Sequence, residues 1–92
     1  MLEEAKTALR ITVNDYNSEI QSLIDAAKLD LGIAGVLFGD DLDPLIKRAI
    51  LTYVRCNFGS PDDYDKLKAA YDEQKAQLQM ASGYTDWGDN AE

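Results

Sequence analysis

Hydrophobic residues recur at helical spacing along most of the chain, a pattern that predicts four helices and little or no sheet. The second predicted helix shows the pattern most clearly, because its apolar positions follow an i, i+4, i+7, i+8, i+11, i+15 series: Tyr16, Ile20, Leu23, Ile24, Ala27 and Leu31. A shorter helix should cover roughly residues 2–9, and residues 10–13 are predicted to be extended because most are β-branched. We expect Asn14 and Asp15 to cap the second helix and Gly32 to end it.

Residues 43–71 read as two further helices joined by a tight corner. Asp43 is a good N-cap and Pro44 suits the first helical position. Gly59 should end the third helix in a left-handed conformation. Ser60 and Asp63 resemble a capping box around Pro61, so the fourth helix should begin there and continue to about residue 81. The apolar positions of these helices are Leu45, Ile46, Ala49, Ile50, Tyr53, Val54 and Phe58, then Tyr64, Leu67, Tyr71, Gln74 and Leu78.

Two parts of this pattern leave alternatives open. Residues 32–43 form a loop that covers the core, a loop that docks on a neighbouring subunit, or a short β-arm. The stripe of the fourth helix is more polar than the others, since it carries Tyr64, Tyr71 and Gln74. Such a stripe is typical of an interface or of the edge of a core. Cys56 lies on the apolar face of the third helix and is predicted to be a core residue.

Composition narrows the classes of function. The chain has 92 residues, one cysteine and no histidine, so an internal disulfide, Ser-His-Asp triads and Cys-His dyads are excluded. No glycine-rich phosphate loop is present, and the cluster of Asp40, Asp41 and Asp43 lacks the pattern of an EF-hand. We therefore predict no catalytic residue, no cofactor and no metal. A domain this small often gains stability from association instead.

Charge indicates how copies of the chain associate. The net charge of −8 is unlike the basic footprint of a nucleic-acid-binding protein. Lys47, Arg48 and Arg55 share the polar side of the third helix, while acids cluster at 40–43, 62–65 and 86–92. A basic stripe and separate acidic loops favour head-to-tail pairing of identical copies.

The end of the chain differs from the rest. Helical periodicity stops at Gly83, which divides the chain into a helical domain at 1–83 and an acidic tail at 84–92 that is predicted to be mobile. Tyr84 and Trp87 are its aromatic residues, and Trp87 docks on a partner, folds back on its own domain or stays loose.

The order of these segments resembles the small head-tail connector proteins of tailed double-stranded-DNA bacteriophages and prophages, also called adaptor or DNA-packaging proteins. The resemblance covers about residues 5–83. It rests on the segments 8–11, 19–27 and 43–50, the glycine-bearing link between the second and third helices, and single positions further on: Tyr53, Phe58, Gly59, Tyr71 and Leu78.

The resemblance implies an all-α protomer that forms a homo-oligomeric ring below the portal, extends the DNA channel and links the packaged head to the tail. It implies no enzymatic activity. Its expected partners are other copies of itself, the portal protein and a tail-side stopper or tail-completion protein, with DNA only a non-specific passenger. The candidate interface residues, taken from charge and aromatic character, are Lys47, Arg48, Arg55, Tyr64, Tyr71, Tyr84 and Trp87.

Location and alternative functions complete the prediction. The N-terminus is acidic, unlike a signal peptide, and the apolar run 31–38 is too short to span a membrane. We expect a virion protein at the head–tail junction, made in the cytoplasm of the bacterial host. The alternatives are an acidic DNA mimic that inhibits a nucleic-acid-binding protein and a helical adaptor in a host complex.

Overall fold

Four helices make up the computed structural model of the protein, which describes residues 1–39, 42–59 and 61–80. They are α1 (Leu2–Leu9), α2 (Asn17–Ile33), α3 (Pro44–Asn57) and α4 (Tyr64–Met80). Within the described residues there is no strand, only a single bridge residue at Val36. The predicted all-α fold in one small domain is therefore confirmed.

The turn after α1 differs from the predicted extended segment. Arg10 adopts a left-handed conformation with φ 60°. The Ile11 N–H donates to the Lys6 carbonyl at 2.9 Å and the Arg10 N–H to the Thr7 carbonyl at 3.1 Å, which is the Schellman pattern of helix ends. The prediction was wrong at Arg10. It was based on the strand preference of the β-branched residues that follow, whereas the chain changes direction at the end of α1.

α2 begins later than predicted. Tyr16 is its N-cap and supplies no side-chain hydrogen bond, so Asn14 and Asp15 are not the caps. The Asn14 Oδ1 accepts instead from Lys6 Nζ at 2.8 Å. At the other end, Gly32 remains helical and Gly35 takes the left-handed conformation, with φ 93° and a second Schellman pair of hydrogen bonds. The helix thus ends at Ile33, one residue beyond the expected stop.

α3 begins at Pro44 with Asp43 as its N-cap, as predicted, and ends at Asn57, one residue before the expected end at Phe58. The Asp43 carboxylate accepts from the backbone N–H groups of Leu45 and Ile46 at 3.0 and 3.1 Å. Gly59 has φ 68°, as predicted.

α4 begins at Tyr64, three residues after the predicted start, because residues 62–63 form a turn first. Ser60, half of the predicted capping box, lies outside the described residues.

The core lies between α2, α3 and α4, with α1 packed across α2 and α3. Its side chains come mainly from the predicted stripes: Ala5, Ile20, Ile24, Ala27, Leu31, Val36, Ile46, Ala49, Ile50, Val54, Tyr71 and Leu78. Val36 is buried and Phe38 packs partly on this core, which supports the interpretation of residues 32–43 as a loop that covers it. Cys56 is buried as predicted.

Candidate assembly surfaces

The three basic residues of α3 have different environments. Lys47 Nζ lies 3.2 Å from the Glu4 carboxylate, so it ties α1 to α3 within the subunit. The hydrogen bond from Lys47 is the main reason that the pKa of Glu4 falls below its ordinary value. Arg48 and Arg55 are exposed and form no ion pair with the described residues. They lie seven residues apart, hence two turns apart on nearly one face of α3.

A groove of about 380 Å³ runs between α3 and the C-terminal half of α4, and we call it the α3–α4 groove. Its lining consists of Leu45, Arg48, Gln74, Gln77 and Leu78. Leu45 is 54% exposed at its rim, whereas Leu78 is buried at its base. The Gln74 Oε1 is buried and has no hydrogen-bond donor among the described residues. The groove therefore offers apolar surface, one exposed cation and one unsatisfied acceptor.

Tyr71 is not at the surface of the subunit. Its hydroxyl donates to the Asp30 carboxylate of α2. Its ring packs edge-on against the Tyr53 ring, with the two ring centroids 5.2 Å apart. Lys75 Nζ lies 3.2 Å from Asp30 and 5.3 Å from the centroid of the Tyr71 ring. Burial, followed by the hydrogen bond to Asp30, raises the pKa of the Tyr71 hydroxyl. Tyr71, one of the candidate interface residues, therefore has its hydroxyl engaged within its own subunit.

The pKa of Asp30 reflects opposing causes. Burial raises it, but the hydrogen bonds from Tyr71 and Lys75 together outweigh burial, so that the pKa lies below its ordinary value. Asp30 is thus held as a carboxylate between two donors from α4. Sequence patterns did not single out Asp30 or Lys75, because the contact joins residues 45 positions apart.

Tyr64 begins α4 and is 43% exposed, so it remains accessible at the corner between α3 and α4. The buried Cys56 Sγ approaches the Tyr64 carbonyl oxygen at 4.0 Å. Burial is also the main reason that the pKa of the Cys56 thiol is raised. Cys56 therefore serves packing at this corner. Tyr84 and Trp87 lie outside the described residues.

The described residues contain no group of three acidic or cysteine side chains arranged to hold a metal ion. None of the helices in that part of the chain is long and apolar enough to cross a bilayer.

These features define the class of protein as a small all-α domain of four packed helices. The chain belongs to the phage connector protein family, whose family model matches residues 1–85. The match includes all four helices and confirms the resemblance to head-tail connectors of bacteriophages, together with a structural role in a virion. No curated protein and no solved structure matches the chain.

Proposed function

We propose that this protein is a non-enzymatic ring subunit at the head–tail junction, located below the portal, where the ring extends the DNA channel. The observation that carries the proposal is the family match over residues 1–85, which covers the whole helical scaffold. Its other proposed partners are the portal protein and a tail-side stopper or tail-completion protein. The subunits are made in the cytoplasm of the bacterial host and then join the virion.

The charge of the chain suits passage of DNA. A net charge of −8 repels phosphates on average, so DNA would pass such a ring without adhering to it. DNA is then a non-specific passenger and makes no sequence-dependent contact. The channel-facing surface would be expected to carry few of the nine basic residues.

Head-to-tail contacts require two different complementary surfaces on each copy. Arg48 and Arg55 provide one, since both are exposed without an ion pair among the described residues. The exposed acids Asp62, Asp63 and Asp65 before and at the start of α4 provide an opposite charge elsewhere on the subunit. Lys47 contributes less to such a contact because Glu4 already engages it.

Electron microscopy of the protein with purified portal tests this proposal. We expect a closed ring of identical subunits that is coaxial with the portal. Sizing chromatography of the protein alone provides the control for portal-dependent assembly. Monomeric behaviour in the presence of the portal would contradict the ring, and a tight one-to-one complex with a basic nucleic-acid-binding protein would favour the DNA-mimic alternative.

A further inference from the structure

The chain continues beyond α4 with a segment of distinctive chemistry. α4 ends at Met80, which is 87% exposed, and residues 81–92 follow. This C-terminal segment contains Asp86, Asp89, Glu92 and no basic residue. It also contains Trp87, the only tryptophan of the protein. An acidic segment that carries a tryptophan would fit a site with a cation and an apolar wall.

The α3–α4 groove meets both requirements. Arg48 is a cation without an ion pair among the described residues, and Leu45 and Leu78 supply apolar walls. A volume of about 380 Å³ is within the usual range of ligand-binding pockets. The buried Gln74 Oε1 has no donor among the residues that the structure describes, and an indole N–H is a donor with no acceptor function. The Trp87 side chain therefore suits both the apolar walls of the groove and its unsatisfied acceptor.

We propose that the α3–α4 groove of one subunit binds the C-terminal segment, residues 81–92, of an adjacent copy. The Trp87 side chain lies against Leu45 and Leu78, and the carboxylates of the segment face Arg48. The inference rests on the proposed ring, because it requires a second copy beside the first. It adds the partner segment and the site on which the segment binds.

The position of the groove favours an adjacent copy over the subunit's own segment. Gln77 and Leu78 belong to the last turn of α4, so the subunit's own chain would have to reverse at Met80 and retrace that helix. A segment from a neighbour enters without this reversal. Twelve residues extend to at most about 40 Å, which is comparable with the 49 Å length of the subunit.

The general repulsion between copies makes the groove selective. Two subunits with a net charge of −8 each repel one another at long range. The acidic segment should therefore bind where a basic side chain lies beside apolar side chains. Arg48 at the groove provides that combination, whereas Arg55 is not part of the groove lining.

Photo-crosslinking between isotopically distinct copies tests the inference directly. The full-length protein would carry a photoreactive amino acid at Gln77, and equal amounts of ¹⁴N and ¹⁵N protein would be mixed before assembly. We expect crosslinks from position 77 to residues 81–92, with pairs of mixed isotope composition. The same photoreactive residue at Gln21, an exposed glutamine on α2, is the matched control and should give no such product.

Charge exchange provides a second readout. Arg48→Glu should reduce the mixed-isotope crosslink at least about fivefold, and Asp86→Lys with Asp89→Lys in the same chain should restore it. Lys66→Glu changes the net charge equally at an exposed site outside the groove lining and should leave the yield unchanged. Restoration would identify the charge pairing, and an equal loss in Lys66→Glu would overturn it.

Electron microscopy of the same samples separates this inference from the proposed function. Rings without a crosslink from position 77 to the segment would overturn the groove assignment and leave the ring intact. Crosslinks only between residues of the same isotope composition would show that the segment binds its own subunit, which also overturns the inference. Absence of both rings and mixed crosslinks would overturn both proposals.

Discussion

At the scale of single residues, the corner between α3 and α4 depends on the backbone freedom of glycine. Gly59 has φ 68°, and an added Cβ there would meet no atom of the described residues within 4 Å, its chain neighbours aside. The cost of a Cβ at this position is therefore backbone strain. A β-branched residue tolerates this conformation least.

Gly59→Val should lower the free energy of unfolding by about 1 kcal/mol or more because valine is strained at positive φ. Urea denaturation followed by circular dichroism measures the change. Gly39→Val is the matched control, because Gly39 also has open space around its Cβ position but no positive φ. Equal losses in the two variants would contradict the explanation from backbone strain.

Among the described residues, Lys6 is a charged residue that is buried, with 6% of its surface exposed. Its ammonium group donates to Asn14 Oδ1. Asn14→Ala should lower the free energy of unfolding by about 1–3 kcal/mol because it removes the acceptor of a buried cation. Adding Lys6→Met should recover part of that loss, since no charge then needs a partner. Additive losses in the double variant, measured by urea denaturation, would argue against the coupling.

At the scale of elements, α4 is attached to α2 through Asp30. Tyr71 and Lys75 both donate to its carboxylate, and Gln79 Nε2 donates to the Ala34 carbonyl at 2.9 Å near the end of both helices. These contacts account for Tyr71, one of the three polar positions in the predicted stripe of α4. Lys75 and Gln79 extend the polar contact with α2 toward the end of the helix.

The Asp30 network should give the protein a specific dependence on acid. The pKa of Asp30 is lowered in the folded state, so its contribution to stability is present above the unfolded pKa, near 3.8. That contribution is lost as the pH falls through the lower, folded pKa. Asp30→Asn should therefore destabilise the protein at pH 7 by about 1–2 kcal/mol and lose this difference progressively as the pH falls through the lowered, folded-state pKa of Asp30.

Thermal unfolding of the wild type and Asp30→Asn between pH 2 and pH 7 measures this dependence, with pH values chosen around the titration of a free carboxyl at about 3.9. Asp25→Asn is the control, since Asp25 is an exposed acid on the same helix. A constant difference between wild type and Asp30→Asn at all pH values would show that packing, not charge, accounts for the loss.

At the scale of the whole molecule, assembly should depend on exposed charge. The triple reversal Lys47→Glu, Arg48→Glu and Arg55→Glu should weaken ring formation, most strongly at low salt, where electrostatic contacts are least screened. Light scattering at several salt concentrations measures it. Lys47→Glu alone should mainly lower monomer stability, because Lys47 pairs with Glu4. Unchanged assembly of the triple variant would remove the electrostatic contribution.

Trp87 provides the corresponding test of the apolar contribution. Trp87→Ala should weaken docking by roughly 2 kcal/mol or more while leaving the unfolding of the monomer nearly unchanged. Tryptophan fluorescence reports the event directly, since Trp87 is the only tryptophan. We expect emission of an exposed indole in dilute subunits and a blue shift on assembly. Blue-shifted emission in the dilute monomer would mean that Trp87 packs on its own domain.

Much of the fold was determined by local sequence. The helix count, the boundaries of α1, the start of α3, the Asp43 cap and the left-handed Gly59 all follow from side chains within a few residues of one another. The periodic apolar stripes also identified most of the core, because helical spacing alone decides which side chains share a face. Helical spacing also predicted that the basic residues of α3 share a polar face and that the stripe of α4 is more polar than the others.

Only the tertiary structure decided how those helices meet and which polar groups remain free. It paired Lys47 with Glu4, placed Tyr71 and Lys75 on Asp30, and left Arg48 beside the α3–α4 groove. It also placed the left-handed turns at Arg10 and Gly35, where each helix reverses to pack on the next. Such contacts join residues distant in sequence, and their energies depend on a geometry that no local pattern contains.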